Sequence, residues 1–160
     1  MINIAVLGLG TVGGGVAEVV EKNQAEIKKA LGDNLHVKYI LDIREIPGAV
    51  KDINVIVNDP DIKVICETMG GKEPAYTYTH LALEHGISVC TSNKELVDAH
   101  GVELSAIARE HNCSYLFEAS VGGGIPVLRA LRESCGHEKI SYIAGILNGT
   151  CNYILTNMKN

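Results

Sequence analysis

Residues 2–15 have the sequence Ile-Asn-Ile-Ala-Val-Leu-Gly-Leu-Gly-Thr-Val-Gly-Gly-Gly, an apolar run that passes directly into a cluster of glycines. A short apolar run that ends in glycine is typical of a buried parallel strand. The glycines match G-x-G-x-x-G at Gly8, Gly10 and Gly13. In such a loop the first glycine permits a tight turn, the second lets the backbone approach a pyrophosphate, and the third lets the next helix pack closely. The stretch therefore predicts a strand, a phosphate-binding loop and a helix.

The residues on either side of the loop decide how specific this pattern is. Alone it is weak in a chain with 17 glycines, where it is also compatible with a turn that binds nothing. Here a strand precedes it, and over residues 16–31 the apolar residues fall largely on one helical face before Gly32 ends the helix. The first N–H groups of that helix are expected to face the phosphates. We therefore predict dinucleotide binding by Gly8, Gly10, Thr11, Val12 and Gly13.

A second strand is predicted over residues 36–41, and it ends at Asp42. A carboxylate at this place accepts hydrogen bonds from a ribose hydroxyl and favours NAD. Arg44 follows two residues later, where a guanidinium is able to bind the 2′-phosphate of NADP. Arg44 is equally compatible with a solvated loop residue. The sequence leaves the choice between NADP and NAD open.

Strand and helix patterns alternate along the rest of the chain. Strands are predicted over 62–66, 87–91, 114–117 and 139–147, and helices over 73–85, 93–110 (interrupted near Gly101) and 125–132. Such alternation predicts an α/β fold, a Rossmann-type doubly wound and mostly parallel sheet. We assign residues 1–135 to this domain and residues 136–160 to the start of a second, α+β domain.

Polar or glycine-rich segments follow four of the predicted strands, at residues 67–71, 91–94, 118–126 and 148–150. Open α/β sheets bind their ligands at the carboxyl ends of the strands, so we expect these segments to meet at one edge. Lys94 is the most suggestive residue among them, because a cation there is able to bind a carbonyl or a cofactor amide. The alternative for Lys94 is a solvated residue at the start of a helix. Glu118 is compatible with a helix N-terminal carboxylate, a cation ligand or a catalytic acid.

Composition and charge exclude several classes of function. The net charge is −5, and no run of Lys or Arg is dense enough for a nucleic-acid-binding surface. No apolar run approaches the roughly 20 residues of a membrane span. The N-terminus enters a strand without a basic leader, so we expect a cytoplasmic protein. The five cysteines show no C-x-x-C spacing, which favours reduced, structural thiols.

Three further segments carry a family resemblance. Thr91-Ser92-Asn93-Lys94, the sequence EASVGGGIP at 118–126 and the sequence GILNGTCNYIL at 145–155 follow the glycine loop in order and at natural spacing. Together they resemble the homoserine dehydrogenase family, and the last two segments are highly specific. The resemblance implies reversible hydride transfer between NAD(P)H and L-aspartate 4-semialdehyde, giving L-homoserine on the route to threonine, methionine and isoleucine.

The resemblance also implies roles for individual residues. Thr68 and Lys94 would lie near the nicotinamide side of the cofactor, and Met69, Gly70 and Thr91 would also contact the cofactor. Lys94 would also help to position the substrate or handle its proton. A monovalent cation, Na⁺ in the family, would be held mostly through backbone carbonyls at these positions: Glu118, Val121, Gly123 and Ile125. Substrate contacts would come from Gly149 and Thr150.

The family's catalytic Asp and Lys come from a later segment than residue 160. We therefore expect this chain to bind cofactor with little or no turnover. Family members dimerise through the second domain, which predicts a homodimer of the full-length protein and exposed apolar side chains over residues 140–158. The alternatives are a related amino-acid or hydroxy-acid dehydrogenase and a non-catalytic nicotinamide-sensing module, because fold alone excludes neither.

Overall fold

The apolar run at residues 2–7 forms an interior strand of a five-stranded sheet in the computed structural model, which describes residues 1–145 and 149–158. All pairings are parallel, and the spatial order is β2-β1-β3-β4-β5. The strands are β1 (Ile2–Leu7), β2 (Leu35–Leu41), β3 (Ile62–Glu67), β4 (Ser88–Thr91) and β5 (Tyr115–Leu116). This sheet confirms the predicted α/β, doubly wound, parallel architecture.

Five helices connect these strands. They are α1 (Thr11–Lys22), α2 (Gln24–Leu31), α3 (Asn54–Val57), α4 (Ala75–Glu84) and α5 (Lys94–Glu110). These strands and helices belong to one unit, Met1–Phe117, while Glu118–Asn160 form a second unit. No helix among the described residues has both the length and the apolar character needed to cross a membrane.

The strand order creates the place where a ligand is expected. From β1 the chain passes to β2 on one side and then crosses to β3 on the other side, so the order reverses next to β1. Ile4, Ala5, Val6 and Leu7 are consecutive and at most 3% exposed, as expected of an interior strand covered on both faces. The carboxyl ends of β1 and β3 therefore border the crevice in which doubly wound sheets bind dinucleotides.

The single helix predicted over residues 16–31 is wrong. α1 ends at Lys22 and α2 begins at Gln24, with Asn23 between them. The Gln24 side chain explains the break, because its amide donates to the carbonyl oxygens of Val20 and Leu35, each at 2.6 Å. It therefore occupies the Val20 carbonyl that a continuous helix would offer to the backbone of residue 24.

The predicted interruption near Gly101 is also wrong, since α5 runs unbroken from Lys94 to Glu110. A glycine inside a helix costs about 1 kcal/mol relative to alanine. Leu96 and Leu104, both fully buried, lie on either side of Gly101 in the same helix. Burial of each leucine contributes about 1.5–3 kcal/mol, which outweighs the propensity of one residue.

The second unit contains two α-helices among its described residues, α6 (Leu128–Cys135) and α7 (Gly149–Met158), and a short 3-10 helix at Glu118–Ser120. α6 begins and ends three residues later than the predicted helix at 125–132. The strand predicted over 139–147 is absent from its described part, 139–145, because a strand needs a paired neighbour and this unit has none among its described residues. Residues 146 and 147 lie outside the described residues. Large apolar side chains are exposed here, as predicted: Ile140, Tyr142, Ile143, Tyr153, Ile154, Leu155 and Met158.

Candidate functional site

The three glycines of the loop occupy three different structural environments. Gly8 has φ +87°, a conformation that favours glycine. A Cβ at Gly13 would lie 1.9 Å from the carbonyl oxygen of Gly8, so the close packing of α1 on β1 requires glycine there. A Cβ at Gly10 would have no described atom of the chain within 4 Å. The space over Gly10 is therefore open to a ligand, as the approach of a pyrophosphate requires.

The N-terminus of α1 is suited to an anion. Gly10 is the N-cap residue, no side chain caps the helix, and its first turn contains no acidic residue. Thr11 and Val12 are exposed in that first turn, beside Gly10. Uncapped N–H groups and the helix dipole give this end a partial positive charge. The structure thus brings the predicted phosphate-binding residues together at one exposed helix terminus.

Asp42 connects the end of β2 to the glycine loop. Its carboxylate accepts hydrogen bonds from the Leu9 N–H at 2.8 Å and, at 2.8–2.9 Å, from the backbone N–H, Nε and Nη2 of Arg44. The Arg44 side chain and these N–H donors hold the pKa of Asp42 far below its usual range, although the carboxylate is only 6% exposed. The Asp42 carboxylate is therefore ionised and already supplied with four donors.

Arg44 is paired rather than freely solvated. Besides its ion pair with Asp42, its Nη2 donates to the Leu9 carbonyl at 2.7 Å. The guanidinium is nevertheless 58% exposed, so it is accessible to a ligand at the end of β2. Arg44 is therefore a loop residue that is largely exposed and at the same time ion-paired with Asp42.

The segment after β3 is fixed against the glycine loop. The Thr68 hydroxyl lies 2.9 Å from the Leu7 carbonyl and 2.7 Å from the Gly8 carbonyl, and its N–H donates to the Leu7 carbonyl. Met69 is adjacent, since its Cγ lies 3.0 Å from where a Cβ on Gly8 would be. Gly70 is exposed. Thr68 thus positions the backbone of two loops, which is a structural task in addition to the cofactor contact predicted for it.

A buried carboxyl group lies beneath these loops. Glu67, the last residue of β3, is fully buried and accepts hydrogen bonds from the Met69 N–H at 2.7 Å and from the Thr91 hydroxyl. Burial raises the pKa of Glu67, while the hydrogen bonds from Thr91, Met69 and Asn93 act in the opposite direction. Thr91, predicted as a cofactor contact, is itself 2% exposed and faces this carboxyl group.

Lys94 lies at the start of α5. Asn93 is the N-cap of this helix, and its side chain accepts a hydrogen bond from the Leu96 N–H at 3.1 Å. Lys94 is the first residue of the helix and is exposed, without a hydrogen bond or an ion pair to any described side chain. Because β4 ends at Thr91, the ammonium group belongs to the same sheet edge as Thr68.

Glu118 caps a helix in the second unit. Its carboxylate oxygens accept hydrogen bonds from the N–H groups of Leu128 and Arg129 at 2.9 and 2.7 Å. The Glu118 carboxylate thus acts as a cap at the start of α6, which is one of the three roles predicted for it. The other predicted cation positions, Val121, Gly123 and Ile125, lie in the turn between Glu118 and α6.

The predicted substrate contacts Gly149 and Thr150 are the first two residues of α7. Asn148, which precedes them in the same motif, lies outside the described residues. Among the described residues no group of three or more His, Cys, Asp and Glu side chains is arranged to hold a metal ion.

Comparison with known proteins agrees with this geometry. Residues 8–118 match the family model for the NAD-binding domain of homoserine dehydrogenase, and residues 126–160 match the model for homoserine dehydrogenase itself. The chain belongs to the homoserine dehydrogenase family. This confirms the resemblance drawn from the motifs, and it does not favour the nicotinamide-sensing module or another dehydrogenase family.

Relatives within the homoserine dehydrogenase family match nearly the whole chain. The enzyme of Lactococcus lactis is 38% identical over 168 residues, which cover 98% of this chain. The crystal structure of a homoserine dehydrogenase from Thiobacillus denitrificans covers 99% of the chain with a TM-score of 0.91 and 37% identity. The chain spans 39% of the length of the first of these and 38% of the second. A hyperthermophilic archaeal homoserine dehydrogenase in complex with NADPH covers 82% of this chain and 48% of its own, with a TM-score of 0.69 and 27% identity.

Sequence reasoning missed two residues of this candidate site, Glu67 and Asn93. Both residues lie in the predicted polar segments, and their side chains hold the loops that carry the predicted contacts. The sequence gives no signal for the burial of Glu67, because a glutamate is almost never fully buried unless it is paired, and its partner Thr91 comes from another strand. Asn93 carried the ordinary signal of an N-cap residue before a helix.

Proposed function

We propose that this chain is the nicotinamide-cofactor-binding part of an active homoserine dehydrogenase, which interconverts L-aspartate 4-semialdehyde and L-homoserine. Family membership supports the reaction, and one structural observation supports the cofactor role. That observation is the open space over Gly10 at the uncapped start of α1. Nothing in the packing of the described residues requires glycine at this position, whereas the close approach of a pyrophosphate does.

NADH or NADPH, when bound, supplies the hydride of the reaction. The residues of this chain would orient it. The backbone around Gly10 would receive the pyrophosphate, and Asp42 with Arg44 would receive the ribose that carries the adenine. Thr68, Met69 and Gly70 would border its other half. Substrate contacts from Gly149 and Thr150 remain predictions.

Lys94 would supply positive charge near the carbonyl that accepts the hydride. An exposed ammonium at the first position of α5 is able to reach a ligand over the sheet edge without breaking an existing pair. Stabilising the oxygen as negative charge develops is an electrostatic contribution that requires no covalent step. Proton donation by Lys94 is compatible with the same placement.

A monovalent cation at Glu118, Val121, Gly123 and Ile125 remains part of the proposal. Since the Glu118 carboxylate caps α6, such an ion would be held here by backbone carbonyls, as the resemblance implies. A cytoplasmic homodimer, joined through the exposed apolar residues of the second unit, is also proposed. The domain division between residues 135 and 136 stays a prediction.

Fluorescence titration of the chain with NADH and NADPH tests the cofactor role. Gly10→Ala should weaken binding at least about tenfold, or 1.4 kcal/mol, because the new methyl group occupies the space needed by the pyrophosphate. Gly15→Ala is the matched control, since its Cβ also meets nothing within 4 Å but lies farther along α1. Absence of binding to both cofactors would contradict the cofactor role. An inactive full-length enzyme, assayed with aspartate semialdehyde and both cofactors, would contradict the reaction.

A further inference from the structure

Two loops at the ligand edge are joined by hydrogen bonds that converge on Glu67. The Met69 N–H and the Thr91 hydroxyl both donate to its carboxyl group, one from the loop after β3 and one from the end of β4. The Ser92 N–H donates to the Glu67 carbonyl at 3.3 Å. The buried side chain therefore contacts both loops at once while lying below the surface that a ligand would touch.

The same chain of contacts continues to the start of α5. The Thr91 hydroxyl oxygen accepts the Asn93 N–H at 2.9 Å, and the Asn93 side-chain amide donates to the Gly71 carbonyl at 2.6 Å. The side-chain oxygen of Asn93 accepts a hydrogen bond from the Leu96 N–H and so caps α5. The loop after β3, the loop after β4 and the first turn of α5 thus form one hydrogen-bonded assembly, with Lys94 on its exposed side.

The position of this assembly in the sheet indicates which half of a dinucleotide it serves. In a doubly wound sheet the pyrophosphate lies at the helix that follows β1, and the adenine ribose lies at the acid that ends β2. Here that acid is Asp42, on the β2 side of β1. The nicotinamide half must therefore extend to the opposite side, over the ends of β3 and β4.

We propose that Glu67 is a positioning residue, which fixes the loops at 68–71 and 92–94 so that they receive the nicotinamide half of the cofactor. The proposal rests on the cofactor role given above. Glu67 touches no ligand itself and acts through Met69 and through Thr91. Substitution of Glu67 should therefore weaken binding of the nicotinamide half of the cofactor and leave binding of the adenosine half unchanged.

Truncated ligands separate this role from general support of the fold. ADP-ribose and its 2′-phosphate lack the nicotinamide but keep the groups that would contact Gly10 and Asp42. We would titrate the chain and its Glu67→Gln variant with NADH, NADPH and the two truncated ligands by calorimetry. Glu67→Gln should weaken binding of the complete cofactor about tenfold while the affinity for the truncated ligand stays within about twofold.

Two further variants keep the test decisive. Thr79→Val is the matched control, because Thr79 is also fully buried in the first unit but its hydroxyl has no hydrogen-bond partner among the described residues. It should leave the affinity for all four ligands unchanged. Thr91→Val removes the donor to Glu67 and should reproduce the selective loss, including in the event that Glu67→Gln does not fold.

Equal losses for complete and truncated ligands, or no loss for either, would overturn the positioning role. A wrong cofactor role would give a different result in the same titrations. In that case the unaltered chain would bind neither the complete nor the truncated ligands, and both proposals would fall together.

Discussion

The carboxylate of Asp42 accepts a hydrogen bond from the backbone N–H of Leu9 at 2.8 Å, so the end of β2 holds the glycine loop that follows β1. Two segments that are 33 residues apart in the chain meet at this bond. The same carboxylate pairs with Arg44, whose guanidinium returns to the Leu9 carbonyl. The shape of the glycine loop therefore depends on a charge outside it.

Asp42→Asn should destabilise the chain in a pH-dependent way. At neutral pH the loss should be about 1.5–3 kcal/mol, because buried hydrogen bonds to a charged group are removed. The pKa of Asp42 is lowered on folding, so its contribution is present above the ordinary value of 3.8 and is lost as pH falls below it. Urea unfolding of both proteins, measured from neutral to acid pH, checks this. A difference that persists unchanged in strong acid would count against the ion pair as its source.

Arg44→Gln should change cofactor preference more than stability. Its exposed guanidinium is available to a 2′-phosphate, and a bidentate Arg–phosphate contact is stronger than a neutral one. Affinity for NADPH should fall about tenfold relative to NADH, as measured by fluorescence titration. Lys63→Gln is the control, because it removes the same charge from an exposed residue of β3. An unchanged NADPH-to-NADH ratio would mean that Arg44 serves only Asp42.

Gly13→Ala should destabilise the fold, in contrast to substitutions at neighbouring glycines. Its Cβ would lie 1.9 Å from the Gly8 carbonyl oxygen and 2.6 Å from the Thr68 hydroxyl oxygen, so α1 would have to move away from β1. Such overpacking typically costs about 1–3 kcal/mol, and occasionally more. Gly14→Ala, whose Cβ meets nothing, should instead gain up to about 1 kcal/mol from helix propensity. Urea midpoints measure both changes, and equal midpoints for the two variants would refute the close approach.

The sequence predicts the fold and the conformation of the glycine loop well because both depend on local signals. The apolar run of β1, the positive φ of Gly8 and the acid that ends β2 each follow from neighbouring residues. The break at Asn23 does not, since it depends on a contact between Gln24 and the distant Leu35 carbonyl. The capping of α6 by Glu118 is likewise a contact across ten residues of turn.

The role of individual polar residues is harder to predict from sequence than their location. Thr68, Thr91 and Arg44 lie at the expected edge of the sheet. Each side chain is already hydrogen-bonded or ion-paired with other residues of the chain. The register of parallel strands brings Glu67 beside Thr91, and no spacing within the sequence reveals that pairing. A single sequence therefore does not reveal which side chains pair across neighbouring strands.

Glu67 should make stability depend on pH in the direction opposite to that of Asp42. Burial raises the pKa of Glu67, so the folded protein holds this proton more tightly than the unfolded chain does. The contribution of Glu67 to stability is then complete below the ordinary value of 4.5 and is lost as pH rises through the raised pKa. Because Gln does not titrate, the difference in unfolding free energy between the unaltered chain and Glu67→Gln isolates this effect. We expect the difference to fall as pH rises from acid towards neutral, by at most about 1.4 kcal/mol per pH unit. A difference that is flat or increases over that range would show that the three donors outweigh the burial of the carboxyl group.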